Sequence, residues 1–285
     1  MTILKKIGIV GCSNGRPISF KAKANLLSQT LSQMGIVPVW SEYIYEINGP
    51  FSGTAKERAD ILMNFFTDFE ITEIFDISGG DLSNEILPYL DFDMIAQSKA
   101  SFWGYSDLTT IINAIYAKTG KPSVLYQLRN LISDQADAQI PNFRSSIIDG
   151  NDDLFRIRCT FVQKNAMDGI LIGGNIRCLL KLAGTEYWPD MNGKILLLEA
   201  YNGGIPQMTT YLNQLQQMGV FQKISGILLG TFTAMERDAA VPDITDLVKA
   251  CAGPDIPIAY TPDIGHGNDS KAIAIGKFIQ LKTTA

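Results

Sequence analysis

ASFWGYSDLTTIINAIYAKTG, residues Ala100–Gly120, decides how the chain is built. Ser101–Trp103 reads as a short buried strand that ends at Gly104, and Leu108–Ala117 as a helix closed by Gly120. A strand fed through a tight turn straight into a helix is half of a βαβ unit. Upstream the same rhythm repeats. Lys6–Gly11 is strand-like, CSNG a turn, Phe20–Met34 a helix ended by Gly35, and Ile36–Trp40 a second strand. Thr54–Phe69 is amphipathic, with Thr54 as N-cap and Glu57 completing a capping box. Glu73–Ile77 is a strand running into the SGG turn, and Glu85–Leu90 a short helix. This alternation predicts an α/β fold, a parallel sheet with helices on both faces.

Downstream the pattern changes. Residues 129–160, beginning RNLISDQADAQIPNFRSSIIDGNDD, are polar and weakly periodic. They are expected to form a connection between domains or a substrate-contacting loop. Beyond them, short strands (Phe155–Val162, Ile170–Ile172, Lys194–Leu198, Gly226–Leu229, Lys277–Leu281) alternate with glycine turns around one clear helix, Met208–Met218. The expected division is therefore 1–128, the connection 129–160, and a second α/β domain with more strand over 161–285.

At 285 residues, 46% hydrophobic and 19% charged, the chain can bury a large core without staples. A net charge of −5 with interspersed signs argues against nucleic acid or anionic membrane as partners. Cys12, Cys159, Cys178 and Cys251 form no CxxC pair, and no signal segment is visible, so a cytoplasmic location with reduced thiols is expected.

His266, the only histidine, sits in the loop TPDIGHGNDS. A general base near neutral pH is most often histidine, and flanking glycines let a ligand approach. A loop histidine that only hydrogen-bonds a neighbour is the alternative. Metal binding lacks a second histidine or any clustered ligands. The nucleophile such a base would serve is Ser106, at a strand-to-helix turn beside the free N–H groups of a helix start. Ser106 could equally be an N-cap; Asp107 can take that role and leave Ser106 to react. GYSDL is not the GxSxG elbow, since Leu108 replaces the second glycine. For the carboxylate that orients the histidine, Glu199 ends the apolar strand ILLLE, with Asp263 and Asp269 as rivals better explained by turn capping. The Gly79–Gly80 turn and the Asp107 amide are the expected oxyanion donors. Neither GIVGCSNG nor GILIGGN matches a nucleotide-binding motif, so no cofactor is expected.

ERADILMNFF, SGGDLSNEILPYLDFDMI, FWGYSDLTTI, GILIGGNIRCLLKLAGTEY with KILLLEA, and IGHGNDSKAIAIG together resemble the LD-carboxypeptidase family of serine peptidases, which includes the microcin C immunity peptidases. The likeness runs through nearly the whole chain. It implies a flavodoxin-like N-terminal parallel-sheet domain and a swivelling, β-rich C-terminal α/β domain with the active site between them. It also implies a Ser–Glu–His triad on Ser106, Glu199 and His266, an oxyanion hole from Gly79, Gly80 and the Asp107 amide, and a homodimer. The reaction implied is release of a terminal D-alanine from murein peptides, or hydrolysis of a peptidyl or aminoacyl nucleotide. Two departures bear on the substrate. SGGDLSN stands where murein-cleaving members tend to read Arg-Gly-Gly-Tyr-Gly-Ser, and YQLRN (Tyr126–Asn130) where a Gly-Pro pair is common. Competing classes are a non-catalytic small-ligand binding module, which a missing triad member would favour, and a nucleotide-binding enzyme using Gly8–Gly15.

Overall fold

The computed structural model describes residues 5–283. In chain order the strands are β1 Lys5–Val10, β2 Ile36–Trp40, β3 Ile71–Asp76, β4 Ser101–Gly104, β5 Ser123–Leu125, β6 Thr160–Gln163, β7 Ala166–Asn175, β8 Lys194–Ala200, β9 Gly226–Phe232, β10 Ile258–Tyr260, β11 Ile273–Ile275 and β12 Phe278–Lys282. The helices are α1 Lys21–Gln33, α2 Ala55–Thr67, α3 Phe92–Gln97, α4 Thr109–Thr119, α5 Ala136–Ile147, α6 Ile176–Leu180, α7 Ile205–Gln217, α8 Thr233–Arg237 and α9 Ile244–Ala252. No helix among the described residues is long and apolar enough to cross a membrane.

Two sheets result. The first runs β2-β1-β3-β4-β5 in parallel, the flavodoxin-like order, with β11 added antiparallel at its edge. The second has parallel β7, β8, β9 and β10 flanked by antiparallel β12 and β6. The α/β class with a flavodoxin-like N-terminal sheet is as expected.

Strand periodicity distributes the core. On β8, Ile195 and Leu197 face the layer shared with the first sheet, while Leu196 and Leu198 pack outward beneath α7 and α9. Between the sheets lies α4, buried at every position from Thr109 to Ile115, so its polar Thr109, Thr110 and Asn113 must each find a hydrogen-bond partner. It is bolted to β7. Asn113 Nδ2 donates to Gly173 O at 2.9 Å, its Oδ1 accepts from Gly173 N at 2.8 Å, and Asn175 N donates to Thr109 Oγ1 at 3.0 Å. Because α4 follows Ser106, this joint sets the Ser106 turn against the second sheet.

Four local expectations change. Residues 129–160 are largely helical: a 3-10 turn over Leu128–Ile132 precedes α5, whose Gln139, Phe143 and Ile147 are buried at helical spacing. Pro141 inside α5 and a polar core position hide that periodicity. In the second half Met208–Met218 is not the one helix; α6, α8 and α9 accompany it, α9 with a capping box from Asp243 and Asp246. The strand expected over Phe155–Val162 is confined to β6, and Glu85–Leu90 forms part of a 3-10 segment, Ser83–Tyr89.

Candidate active site

Ser106 opens a 3-10 turn between β4 and α4 with φ of 55°, a left-handed conformation that disfavours any residue with a Cβ. Such strain persists only where the surroundings over-determine it, and here Asp107 supplies the restraint. Asp107 does not cap the helix. Its carboxylate is fully buried; Oδ1 pairs with Lys181 Nζ at 2.5 Å, and Oδ2 accepts from Ser13 Oγ at 2.6 Å and Ser83 N at 2.9 Å. The Asp107 carbonyl accepts from Ser83 Oγ at 2.8 Å. Residues from both sheets thus hold the turn.

The Gly79–Gly80 turn leaves the C-terminal end of β3. Asn14 N donates to Gly79 O at 3.2 Å, and Asn14 Oδ1 accepts from Asp81 N at 2.8 Å. Gly80 has φ of 124°, and a Cβ there would lie 2.3 Å from the Asn14 amide, so only glycine fits. Arg177 of α6 donates to Gly80 O at 3.1 Å and pairs with Asp81. Gly80 and Ser106 line one cleft with Asn175, Arg177 and Tyr201. Beneath the turn, Asp76 accepts from Cys12 N and Ser78 N, both at 2.7 Å, and burial pushes its carboxyl upward against those bonds. Arg58, fully buried on α2, donates to Cys12 O at 2.7 Å and pairs with Glu85 at 2.6 Å.

Glu199 and His266 come from the second sheet and its loops. Glu199 is 1% exposed near the end of β8, and its Oε2 lies 2.7 Å from His266 Nδ1. That contact places the proton on Nδ1 and leaves Nε2 as an acceptor. Tyr201 stacks on the imidazole at 5.0 Å between ring centroids, and Tyr105 meets it edge-on at 5.8 Å. Ser106, Glu199 and His266 line one small cavity with Tyr105, Tyr126 and Gln127. Within it, Nε2 of His266 and Oε1 of Glu199 are buried with no hydrogen-bond partner among the described residues. Ser106 Oγ and Nε2 therefore share the cavity without a direct bond, as catalytic pairs often do before substrate tightens them.

The histidine loop is tethered on three sides. Thr231 N donates to Ile264 O at 2.8 Å, and Gly265 has no Cβ to strike Thr231 Oγ1, which would be only 1.9 Å away. Asp263, a rival for orienting His266, instead takes Arg158 in a two-oxygen ion pair and accepts from Arg158 N at 2.6 Å. Burial works to raise its carboxyl, but the hydrogen bonds and charge of Arg158 outweigh that and hold it below the usual range. Asp269, the other rival, is exposed. The third tether is one the sequence hides. Asn130 Nδ2 donates to Ser270 Oγ at 3.0 Å, and Gln139 Nε2 to Ser270 O at 3.0 Å. The 129–160 segment buttresses the histidine loop through two buried amides, and the polarity that argued for a loop is what makes this contact.

Profiles of two families cover most of the chain: the LD-carboxypeptidase N-terminal domain over residues 7–126 and the LD-carboxypeptidase C-terminal domain over residues 168–281. The Microcin C7 self-immunity protein MccF of Escherichia coli is 28% identical over 260 residues, 79% of this chain and 75% of its own length. The murein tetrapeptide carboxypeptidase of Pseudomonas aeruginosa is 26% identical over 245 residues, 81% of this chain and 79% of its own. Among solved structures, the MccF-like protein from Bacillus anthracis superposes with a TM-score of 0.86 at 24% identity, covering 99% of this chain and 95% of that one, and so has the same fold.

Proposed function

The chain belongs to the LD-carboxypeptidase family, and from that premise we propose that Ser106, Glu199 and His266 are the catalytic triad of this serine-type carboxypeptidase. The observation that carries the assignment is the buried, unpartnered Nε2 of His266 in the cavity it shares with Ser106, while Nδ1 is held by Glu199. Ser106 Oγ attacks the scissile carbonyl as its proton passes to Nε2, and Glu199 stabilises the imidazolium that forms. The developing oxyanion is taken by amides of the Gly79–Gly80 turn and of Asp107. His266 then protonates the leaving amine, and water resolves the acyl-enzyme by the same route in reverse.

The substrate in this reading is a small peptide with a free carboxyl terminus, a murein tetrapeptide releasing terminal D-alanine. A second reading, hydrolysis of a peptidyl or aminoacyl nucleotide, is favoured by the SGGDLSN turn, which departs from the murein-type pattern. The proposal includes a homodimer in the cytoplasm; the four unpaired cysteines suit a reducing compartment. Mass spectrometry of both substrate types with wild type and Ser106→Ala tests the assignment. The variant should lose at least about 10⁴-fold in turnover and all labelling by a serine-directed phosphonate, with an unchanged circular dichroism spectrum. Undiminished hydrolysis by Ser106→Ala would falsify it.

A further inference from the structure

We propose that Arg16 and Arg129 form an anion subsite that holds the α-carboxylate of the residue the enzyme releases. The proposal rests on the carboxypeptidase reading and adds to it the group that recognises a free chain end.

Among the described residues, Arg58, Arg156, Arg158, Arg177 and Arg237 are ion-paired, and Arg144 is exposed to water. Arg16 and Arg129 are half-buried and have no ion pair, and the Nε of each is buried without a partner. The guanidinium groups rest on aromatic faces, Arg16 at 4.9 Å from the Phe20 ring centroid and Arg129 at 5.2 Å from that of Tyr105. Stacking holds the planar groups in place but leaves their edges free. Two desolvated cations in mutual repulsion are unfavourable to the empty protein. Burial first, then the charge of Arg16, pushes Arg129 down to about 10, with Asp76 acting in the opposite direction. Asp76 neither pairs with the arginines nor has free oxygens, since its carboxylate accepts from Cys12 N, Ser78 N and Ser78 Oγ. Glu46, also felt by Arg16, is exposed.

The location selects the ligand. Tyr105, under Arg129, directly precedes Ser106, and its ring meets His266 edge-on. Arg129 Nη2 reaches Gln127 Oε1 at 3.5 Å, and Gln127 lines the cavity shared by Ser106 and His266. An anion bound here lies beside the reacting carbonyl, where a carboxypeptidase substrate carries its α-carboxylate. A carboxylate would accept two parallel N–H bonds from a guanidinium edge and relieve the repulsion between the arginines. Arg129 lies in YQLRN, so the subsite belongs to a stretch in which this chain departs from its family's pattern.

The test separates binding from chemistry by using the Ser106→Ala protein. Titration calorimetry compares the murein tetrapeptide with the same peptide carrying a C-terminal amide. The acid should bind about 100-fold more tightly, and Arg129→Met or Arg16→Met should remove most of that preference. Arg129→Lys, which keeps the charge but not the fork, should retain an intermediate preference. Because Arg129→Met removes an uncompensated charge, its melting temperature should hold or rise. Equal affinity for acid and amide, or an acid preference that survives in Arg129→Met, overturns the subsite. Either result is independent of whether Ser106→Ala abolishes turnover, so the subsite and the triad fail separately.

Discussion

The Ser106 turn and the Glu199–His266 pair face each other across one cavity, yet they are built on opposite principles. Around Ser106, the oxygens of Asp107 are all answered, by Lys181 from beside the second sheet and by Ser13, Ser83 and Thr110 from beside the first. Across the cavity, Glu199 and His266 spend one atom each on their mutual bond and leave Oε1 and Nε2 without partners. A closed network holds strain in place, as the positive φ of Ser106 requires. Free valences in a buried site are unfavourable to the resting protein and favourable to a reaction that fills them. The same contrast separates the paired Asp107–Lys181 couple from the unpaired Arg16 and Arg129. Where this molecule needs rigidity it neutralises its charges, and where it needs a ligand it leaves them exposed to one another.

Breaking the closed side should have the largest effect on stability. Lys181→Met leaves the Asp107 carboxylate fully buried without its cation. The expected destabilisation is about 3–5 kcal/mol by urea unfolding. Adding Asp107→Asn to that variant should recover part of the loss, because the stranded charge is gone. Strict additivity of the two substitutions would show that Asp107 and Lys181 do not act as a couple.

The histidine side has a charge lock of its own, and pH sharpens the contrast. With Asp263 held below the usual carboxylate range by Arg158, its contribution to stability is complete above the unfolded aspartate value of about 4. It disappears as pH falls through the lower folded value. Arg158→Met should therefore be less stable than wild type at neutral pH, where the Asp263 carboxylate is fully charged. As pH falls through the lowered folded value of Asp263, the two should converge. Parallel stability curves over that range would mean the pair does not hold the loop carrying His266.

How much of this is legible in the sequence depends on how local the signal is. Thr54 with Glu57 and Gly120 with its left-handed φ mark helix ends within a few residues, and both do so in the structure. Ser106 and Glu199 are readable for the same reason: each stands where a hydrophobic strand stops, and parallel sheets place polar groups there. What stays hidden is non-local. β11 pairs with β5 across about 150 residues of chain, a register that no short pattern encodes. Gln139 looks like loop composition because its burial is favourable only once Ser270 and Asn268 are beside it. Asp107 reads as a cap until Lys181, which approaches from the other sheet, is in view. The unpaired state of Arg16 and Arg129 is equally invisible, since a sequence does not say which charges lack partners.

The smallest effect tests the strain itself. Glycine is normally less favourable than alanine in a defined backbone, by roughly 0.5–1 kcal/mol, because it loses more freedom on folding. At position 106 the order should reverse. With φ at 55°, alanine keeps the Cβ penalty while glycine removes it, so Ser106→Gly should be the more stable of the two by about 1 kcal/mol. Both lack the hydroxyl, so the comparison is free of chemistry, and thermal unfolding of the two variants reads it directly. If alanine is the better residue there, the turn is relaxed, and the network around Asp107 would then serve to join the two sheets rather than to hold a strained Ser106 in place.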